Sequence, residues 1–401
     1  MKITDLKCAL IGSSPVIRIT TDEGITGWSQ IETPKPHVQM QALQLKDWIV
    51  GLDPRDVERV MRRIRVRGGF KPFGSAVSAI EHALWDIAGK ALNAPVYRLL
   101  GGKVRDQVRT YRTLYHAEVP GGAEHTPAGY KRWAEYGKSL KGEFTLFKLP
   151  TSFHSTMVRD YDQFFYGEVQ GDASYPYAHR GLMTKEGFDH VVACVTAARE
   201  ALGAGYNTAV DAGPGYLPHD ALRFARAVED LHLLWVEDMI TGDSSPFVNH
   251  DVYREVTRAT TTPIHTGEQI YLRQNYKHLI ESHAVNVVGP DPCDVGGLAE
   301  IKWIAEHADL HGIAMAPHGT ANGIFGLAAL IQVCATMPDN LIAFEYPARF
   351  EPFWYDITEG FDGMPVKGGL IDVPDRPGMG VNLIAKEAKK YLTEGDADFF
   401  D

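Results

Sequence analysis

From about Thr110 onward the chain repeats one pattern: a short apolar run, a polar turn, an amphipathic stretch, then another apolar run. The runs are RTYRTLY (109–115), FTLFKL (144–149), NTAVDA (207–212), LLWVED (233–238), PIHTGE (263–268), VNVVGP (285–290), GIAMAP (312–317) and LIAFEY (341–346). Helical patterns such as HDALRFARAVEDL lie between most of them. Parallel strands need a crossover of this length, so the repeat confines the region to a parallel α/β sheet. Eight strand candidates favour a closed barrel, with a doubly wound open sheet as the alternative.

Three of the runs end in an acid: Asp211, Glu237 and Glu268, separated by 26 and 31 residues, one βα unit each. A carboxylate at the C-terminal end of a barrel strand points into the mouth, where barrels place their chemistry. A lone strand-end acid serves equally well as a helix cap or a surface ion pair. Three on neighbouring strands repel one another unless a cation neutralises them, and an all-oxygen set suits a hard ion such as Mg²⁺. Asp238 competes with Glu237 for the second position, but strand alternation turns it away from the interior.

The rest of the chain reads differently. MKITDLKCAL and PVIRITTDEGITGWSQ alternate like strands, with a turn at Asp22–Gly24. A helix is expected over Ser75–Leu92, where Ala, Ile, Leu and Trp recur at three- and four-residue intervals before Asn93-Ala-Pro ends it. A hairpin followed by helices has the look of a separate α+β domain. The Gly/Pro-rich tail GGLIDVPDRPGMGVNL is expected to cross back onto it.

A net charge of −11 argues against nucleic acid as a partner, because binding phosphates needs a basic face. An anionic small substrate stays compatible, since a local metal and a few cations dominate the potential of a site. No apolar run approaches the roughly 20 residues of a membrane span. The N-terminal residues lack the apolar stretch of a secretory leader, and Cys8, Cys194, Cys293 and Cys334 are isolated, so a cytoplasmic location is expected.

Between the second and third barrel strands lies an oversized segment, 151–187, carrying His154, Arg159, Tyr161, Tyr166, Tyr175, Tyr177, His179 and Arg180. An aromatic segment at the mouth of a barrel reads as a lid, or as an ordered insertion that packs a subunit interface.

SAIEHALWDIAGKALNAPVYRLLGG, the Asp/Glu/Glu strand ends, PDPCDVGGLAEI and MAPHG together resemble the enolase superfamily, and within it the mandelate racemase-like acid-sugar dehydratases and racemases. The resemblance runs from Gly24-x-x-Gly27-Trp28 to the Pro-Asp-Arg-Pro-Gly tail. It implies a modified (β/α)7β TIM-type barrel with an N-terminal α+β capping domain completed by the C-terminal tail. The expected division is 1–115 for the cap, 116–350 for the barrel and 351–401 for the returning segment. It also implies one Mg²⁺ on Asp211, Glu237 and Glu268, and a homo-oligomer, commonly a dimer or octamer.

Further site residues follow from the same likeness. Lys148 matches a lysine that binds the substrate carboxylate, and its place at an apolar strand end suggests an easily lost proton. Many relatives carry Lys-x-Lys here, the second lysine being a base. This chain has Lys148-Leu149-Pro150. Asp291 and His318 resemble an Asp–His dyad, in which the carboxylate fixes the tautomer and raises the basicity of the ring. Glu345 resembles a protonated acid that donates to the developing enolate.

The implied reaction begins with loss of the proton α to a carboxylate. Racemisation needs two bases across the substrate, whereas dehydration needs one base and one acid, which one residue can supply in turn. With proline at 150, His318 is the one evident strong base, so dehydration of an aldonate-type sugar acid to a 2-keto-3-deoxy acid is the expectation. An epimerase or cycloisomerase is the alternative within the superfamily, and a sugar-acid-binding scaffold the alternative outside catalysis. Galactonate dehydratases resemble this region but carry a histidine where this chain has Gly213, while rhamnonate dehydratases share Lys-x-Pro and PHG. Mannonate dehydratases are similar too and recruit a tyrosine from this lid, a role that would fall here to Tyr161 or Tyr166. His37, Arg180 and Tyr161 are the expected substrate contacts.

Overall fold

The computed structural model describes the chain apart from residues 33–34, 69–73, 141, 170–178, 241–247, 320–321, 348–350 and 362–364. It opens with an antiparallel meander, β1 (Ile3–Ile11), β2 (Ser14–Thr21) and β3 (Thr26–Gln30). Helices α1 (Val57–Gly68) and α2 (Gly74–Ala91) cover it. Ile3, Leu6, Ile17 and Ile19 of the sheet meet Val60, Ile64, Ile80, Leu84 and Ile87 in one apolar core. The alternation of the strands and the three- and four-residue spacing of α2 are thereby both satisfied.

The barrel strands are β4 (Gln107–Thr113), β5 (Leu146–Pro150), β6 (Asn207–Asp211), β7 (Val236–Glu237), β8 (Ile264–Thr266), β9 (Val287–Val288), β10 (Ala314–Met315) and β11 (Phe344–Glu345). They pair in parallel in chain order. β11 returns to β4, with Phe344 opposite Thr110, and a Met315–Leu341 bridge joins β10 to the approach of β11. The sheet therefore closes, and the open-sheet alternative falls away. The crossovers hold α3 (Pro127–Ser139), α4 (Lys185–Leu202), α5 (Pro218–Ala227), α6 (His250–Arg258), α7 (Arg273–Glu281), α8 (Leu298–Leu310) and α9 (Gly323–Cys334). Among the described residues, eight strands alternating with seven crossover helices give the (β/α)7β arrangement.

By its pairing β4 is a barrel element, although it lies before the division expected at 115. The tail turns back onto the cap. Asp86 of α2 accepts from Trp28 N at 3.0 Å and from Met379 N at 2.9 Å, so one buried carboxylate ties helix, meander and tail together. Gly12 N donates to Tyr391 O and Arg18 Nη1 to Phe399 O.

The cap also grips the barrel. Glu81 of α2 accepts from the N–H groups of Leu298 and Ala299 at 2.9 and 3.0 Å, capping α8 from another domain. Ser78 accepts from Gly296 N and Ser75 donates to Asp294. The loop after β9 is thus fixed by α2. Among the described residues no helix is long and apolar enough to cross a membrane.

Candidate active site

Inside the barrel, Tyr111, Leu146, Ala209, Trp235, Val287, Ala316 and Ala343 form an apolar plug. Two residues further along five of these strands stand Thr113, Lys148, Asp211, Glu237 and Glu345, and His318 follows Ala316 at the same interval. A period of two sends each of them inward, directly above the plug. On β8 the alternation breaks at Gly267, whose φ of 145° turns the chain so that Glu268 faces its neighbours.

Asp211, Glu237 and Glu268 are all buried and each offers an oxygen within 4.8 Å of the others. Asp238 takes φ 51° and accepts from Thr266 Oγ1, and it is not one of the three. The triad fits a hard divalent cation: three anionic oxygens on rigid strands, with Lys148 as the cation in direct contact with two of them. Burial pushes the Asp211 carboxyl up to about 6, against the pull of His154 and Lys148.

Lys148 Nζ lies 2.6 Å from Glu237 Oε1, 3.3 Å from Asp211 Oδ2 and 3.5 Å from Glu345 Oε1. Burial by itself would lower the pKa of this ammonium, but Glu237, Glu345 and Asp211 outweigh it and hold the value well above the ordinary one. The apolar strand end thus delivers the lysine into a ring of anions that holds its proton, the opposite pull to that expected from a neighbouring metal. Glu345 accepts from Thr113 Oγ1 and, at 3.2 Å, from Gly319 N. Both of its oxygens are acceptors here, where the expected role asks for a donor.

Across the mouth, His318 Nδ1 donates to Asp291 Oδ2 at 2.6 Å. Nε2 lies 3.2 Å from Glu268 Oε2 and 3.4 Å from Glu345 Oε2. Burial opposes the imidazolium, but Glu268 and Glu345, with the bond to Asp291, raise its pKa well above the usual histidine range. Asp291 also accepts from Cys293 N at 2.6 Å and Asn322 Nδ2 at 3.0 Å, so its orientation is over-determined. Asp294, the competing acid, is taken by Ser75 and by Lys35, which also pairs with Glu32.

Tyr161 stacks on His190 of α4 at 3.9 Å, so its ring is used against the outer helices. His37 is exposed on the short turn Pro36–Val38, and Arg180 is exposed as well. Tyr175 and Tyr177 lie outside the described residues. The start of the insertion is bonded to the end of β6. Phe153 packs edge-on against Phe164, Phe165 and Tyr216 at 5.5–5.7 Å.

Several site residues were not singled out from sequence. Trp235 Nε1 donates to Glu237 Oε2 at 2.7 Å, and His265 Nδ1 lies 3.5 Å from the same oxygen while its ring stacks on Trp235. The period of two signals Trp235, since it stands two residues before Glu237. His154 Nδ1 lies 3.3 Å from Asp211 Oδ1, and nothing in the pattern of residues 151–160 signals that contact.

Comparison with known proteins agrees with this geometry. Residues 169–388 match the enolase C-terminal domain-like family, and residues 12–101 match the mandelate racemase / muconate lactonizing enzyme N-terminal domain. A D-xylonate dehydratase of Haloferax volcanii is 31% identical, over 99% of this chain and 90% of its own length. A D-galactonate dehydratase of Variovorax paradoxus is 28% identical, over 96% of this chain and 92% of its own. The crystal structure of a mandelate racemase/muconate lactonizing enzyme-like protein from Rubrobacter xylanophilus superposes with a TM-score of 0.83 at 30% identity, covering 98% of each chain. The chain belongs to the enolase superfamily, with the N- and C-terminal domains of the mandelate racemase and muconate lactonizing enzyme family.

Proposed function

We propose that this chain is a Mg²⁺-dependent dehydratase that converts an aldonate-type sugar acid to a 2-keto-3-deoxy acid. The observation that carries the reading is the flanking of the carboxylate triad by Lys148 on one side and the His318–Asp291 pair on the other. The dehydratase names of the relatives support it.

Asp211, Glu237 and Glu268 would hold the metal, with Trp235 and His265 steadying Glu237 from below. When bound, Mg²⁺ supplies electrostatic stabilisation for charge developing on the substrate carboxylate. Lys148 adds a second positive group to the same oxygens. Nε2 of His318 takes the α-proton while Asp291 holds Nδ1–H, fixing the tautomer. The same imidazolium then protonates the departing β-hydroxyl, which leaves as water, and the enol tautomerises to the ketone. Glu345 is assigned the enolate contact. Assembly as a homo-oligomer and action in the cytoplasm belong to the same reading.

The test is incubation of the purified protein with Mg²⁺ and a panel of aldonates and aldarates, assayed for 2-keto acid. Failure to form such a product from any of them would sink the proposal. One observation favours an epimerase as a second reading: His154 stands beside Asp211, away from His318. Exchange of the α-proton in D₂O with formation of the C2 epimer, and without loss of water, would support it.

A further inference from the structure

The turn Ser152–His154 follows directly on β5, the strand that carries Lys148. Its first residue, Ser152, is held at φ 52°, a left-handed conformation that serine rarely adopts. Strain of this kind persists where the surrounding contacts over-determine it, and it gathers at functional sites. Here the contacts are visible. His154 N donates to Thr151 O at 3.0 Å and to Ala212 O at 3.2 Å, and Thr151 N donates to Asp211 O at 2.8 Å. The backbone of the turn is stitched to the end of β6.

The loop after β6 is cut to receive it. A Cβ on Gly213 (φ 61°) would fall 2.6 Å from His154 Cβ and 2.8 Å from its backbone N. A Cβ on Gly215 would overlap the Phe153 side chain. Two glycines, two residues apart, thus clear the space that two consecutive side chains of the turn occupy. Phe153 anchors the turn in its aromatic cluster, and His154 is left over Asp211, with Nδ1 3.3 Å from Oδ1 and its side chain 16% exposed. Three features therefore act on one imidazole: a strained turn, a shaped neighbouring loop and an aromatic anchor. A binding group held in this way is preorganised.

In strand order, β6, β7 and β8 carry the triad, β5 with His154 lies on one side, and β9 and β10 with Asp291 and His318 lie on the other. An acid whose carboxylate sits over the triad and Lys148 must extend its hydroxyl-bearing carbons toward the mouth. We propose that His154 is a substrate contact on the β5 side of the site, hydrogen-bonding a hydroxyl group of the bound sugar acid across from His318. This rests on the dehydratase reading above. It adds a specificity-determining residue that the resemblance does not supply.

The test uses the full-length Mg²⁺-loaded protein in a His318→Asn background, so that bound acid is not consumed. D-xylonate and D-galactonate are titrated calorimetrically into His318→Asn, His318→Asn/His154→Ala and His318→Asn/His154→Asn. Mg²⁺ is titrated separately into each. The expected result is Kd for the preferred acid raised about tenfold or more by His154→Ala and partly restored by His154→Asn, with Mg²⁺ affinity unchanged. In the otherwise native protein, His154→Ala should then raise KM. An unchanged acid Kd at saturating Mg²⁺, with weakened Mg²⁺ binding, would overturn the proposal, because His154 would then only support Asp211. Loss of C2 epimerisation on His154→Ala would overturn it too, making His154 a base. Binding of neither acid to the His318→Asn parent would strike at the aldonate reading itself and take this assignment with it.

Discussion

Nδ1 of His318 lies 2.6 Å from Oδ2 of Asp291, while Nε2 of the same ring lies 3.2 Å from Oε2 of Glu268. One imidazole thus joins a buried orienting carboxylate to the edge of the acidic triad. A general acid–base group positioned like this contributes about 10²–10⁴-fold to rate. His318→Asn is expected to lower kcat by that range while calorimetry still detects Mg²⁺ and acid binding. Asp291→Asn should lower kcat with little change in KM, since it disturbs tautomer and orientation and leaves the substrate contacts in place. Full activity in His318→Asn would remove the dyad from the mechanism.

The triad makes a second expectation quantitative. A cation that binds the folded state alone stabilises it by about 2.7 kcal/mol at one hundred times its Kd. Mg²⁺ should therefore raise Tm, EDTA should abolish turnover, and re-addition of Mg²⁺ should restore it. Glu237→Gln should weaken Mg²⁺ binding at least tenfold, because the change removes one anionic ligand and leaves Lys148 without its closest partner at 2.6 Å. A Tm that does not respond to Mg²⁺ in the parent protein would count against the metal site.

Much of this centre is legible in the sequence because strands have a period of two and a fixed direction. That rule places Glu237 inward and Asp238 outward, and it places Lys148, Asp211 and Glu345 on one level. Contacts made across large sequence separation leave no such trace. Glu81 reaches the helix that starts at Leu298, and Asn322 reaches Asp291, through tertiary packing alone. The insertion, read as a lid or as an ordered insertion packing a subunit interface, shows the same limit. Among its described residues Phe153, Phe164 and Phe165 are buried, Tyr161 stacks on His190, and Tyr166 is exposed. Composition does not record which way a ring turns. His154 is the counterpart, an unremarkable residue until backbone geometry brings it over Asp211.

Glu81 and His82 give the cap–barrel contact an opposed pair of pH dependences. Burial pushes the Glu81 carboxyl from 4.5 up to about 7, against the N–H groups of Ala299 and Leu298. Burial pushes His82 from 6.5 down to about 4. The contribution from Glu81 is full below pH 4.5 and is lost as pH rises through about 7. The contribution from His82 is full above pH 6.5 and is lost as pH falls through about 4. Each is on the order of 3 kcal/mol, and between pH 4.5 and 6.5 they offset each other. Glu81→Gln should therefore make urea stability fall on acidification from pH 6.5 to 4.5. His82→Asn should make it fall on raising pH from 4.5 to 7. If both variants kept the parent's pH profile, neither group would be linked to folding.

Dehydration and epimerisation leave different isotopic marks. Loss of the C2 proton and the C3 hydroxyl gives an enol that must gain a proton at C3 as it becomes the ketone. Product formed in D₂O should then carry one deuteron at C3, seen by proton NMR, with no deuterium at C2 of recovered substrate. Deuterium at C2 of unreacted acid would show that proton abstraction runs ahead of water loss, and would shift the reading toward 1,1-proton transfer.

Gly213→Ala tests whether the loop after β6 is shaped for the turn that follows β5. At φ 61° an alanine is strained in any surroundings, and its Cβ would approach His154 Cβ to 2.6 Å and His154 N to 2.8 Å. Backbone atoms cannot swing aside as a flexible side chain can, so the turn must move and carry the imidazole off Asp211. Strain and overpacking of this kind cost about 1–3 kcal/mol. A Tm drop of a few degrees is expected, together with a fall in kcat/KM of about tenfold or more that exceeds what the lost stability explains at 25 °C, where the variant remains folded. The control is Gly205→Ala, also at positive φ (95°) but with open space around it. It should show the backbone cost without the loss of kcat/KM. Equal catalytic losses in the two variants would mean that strain alone, and not displacement of His154, accounts for the effect.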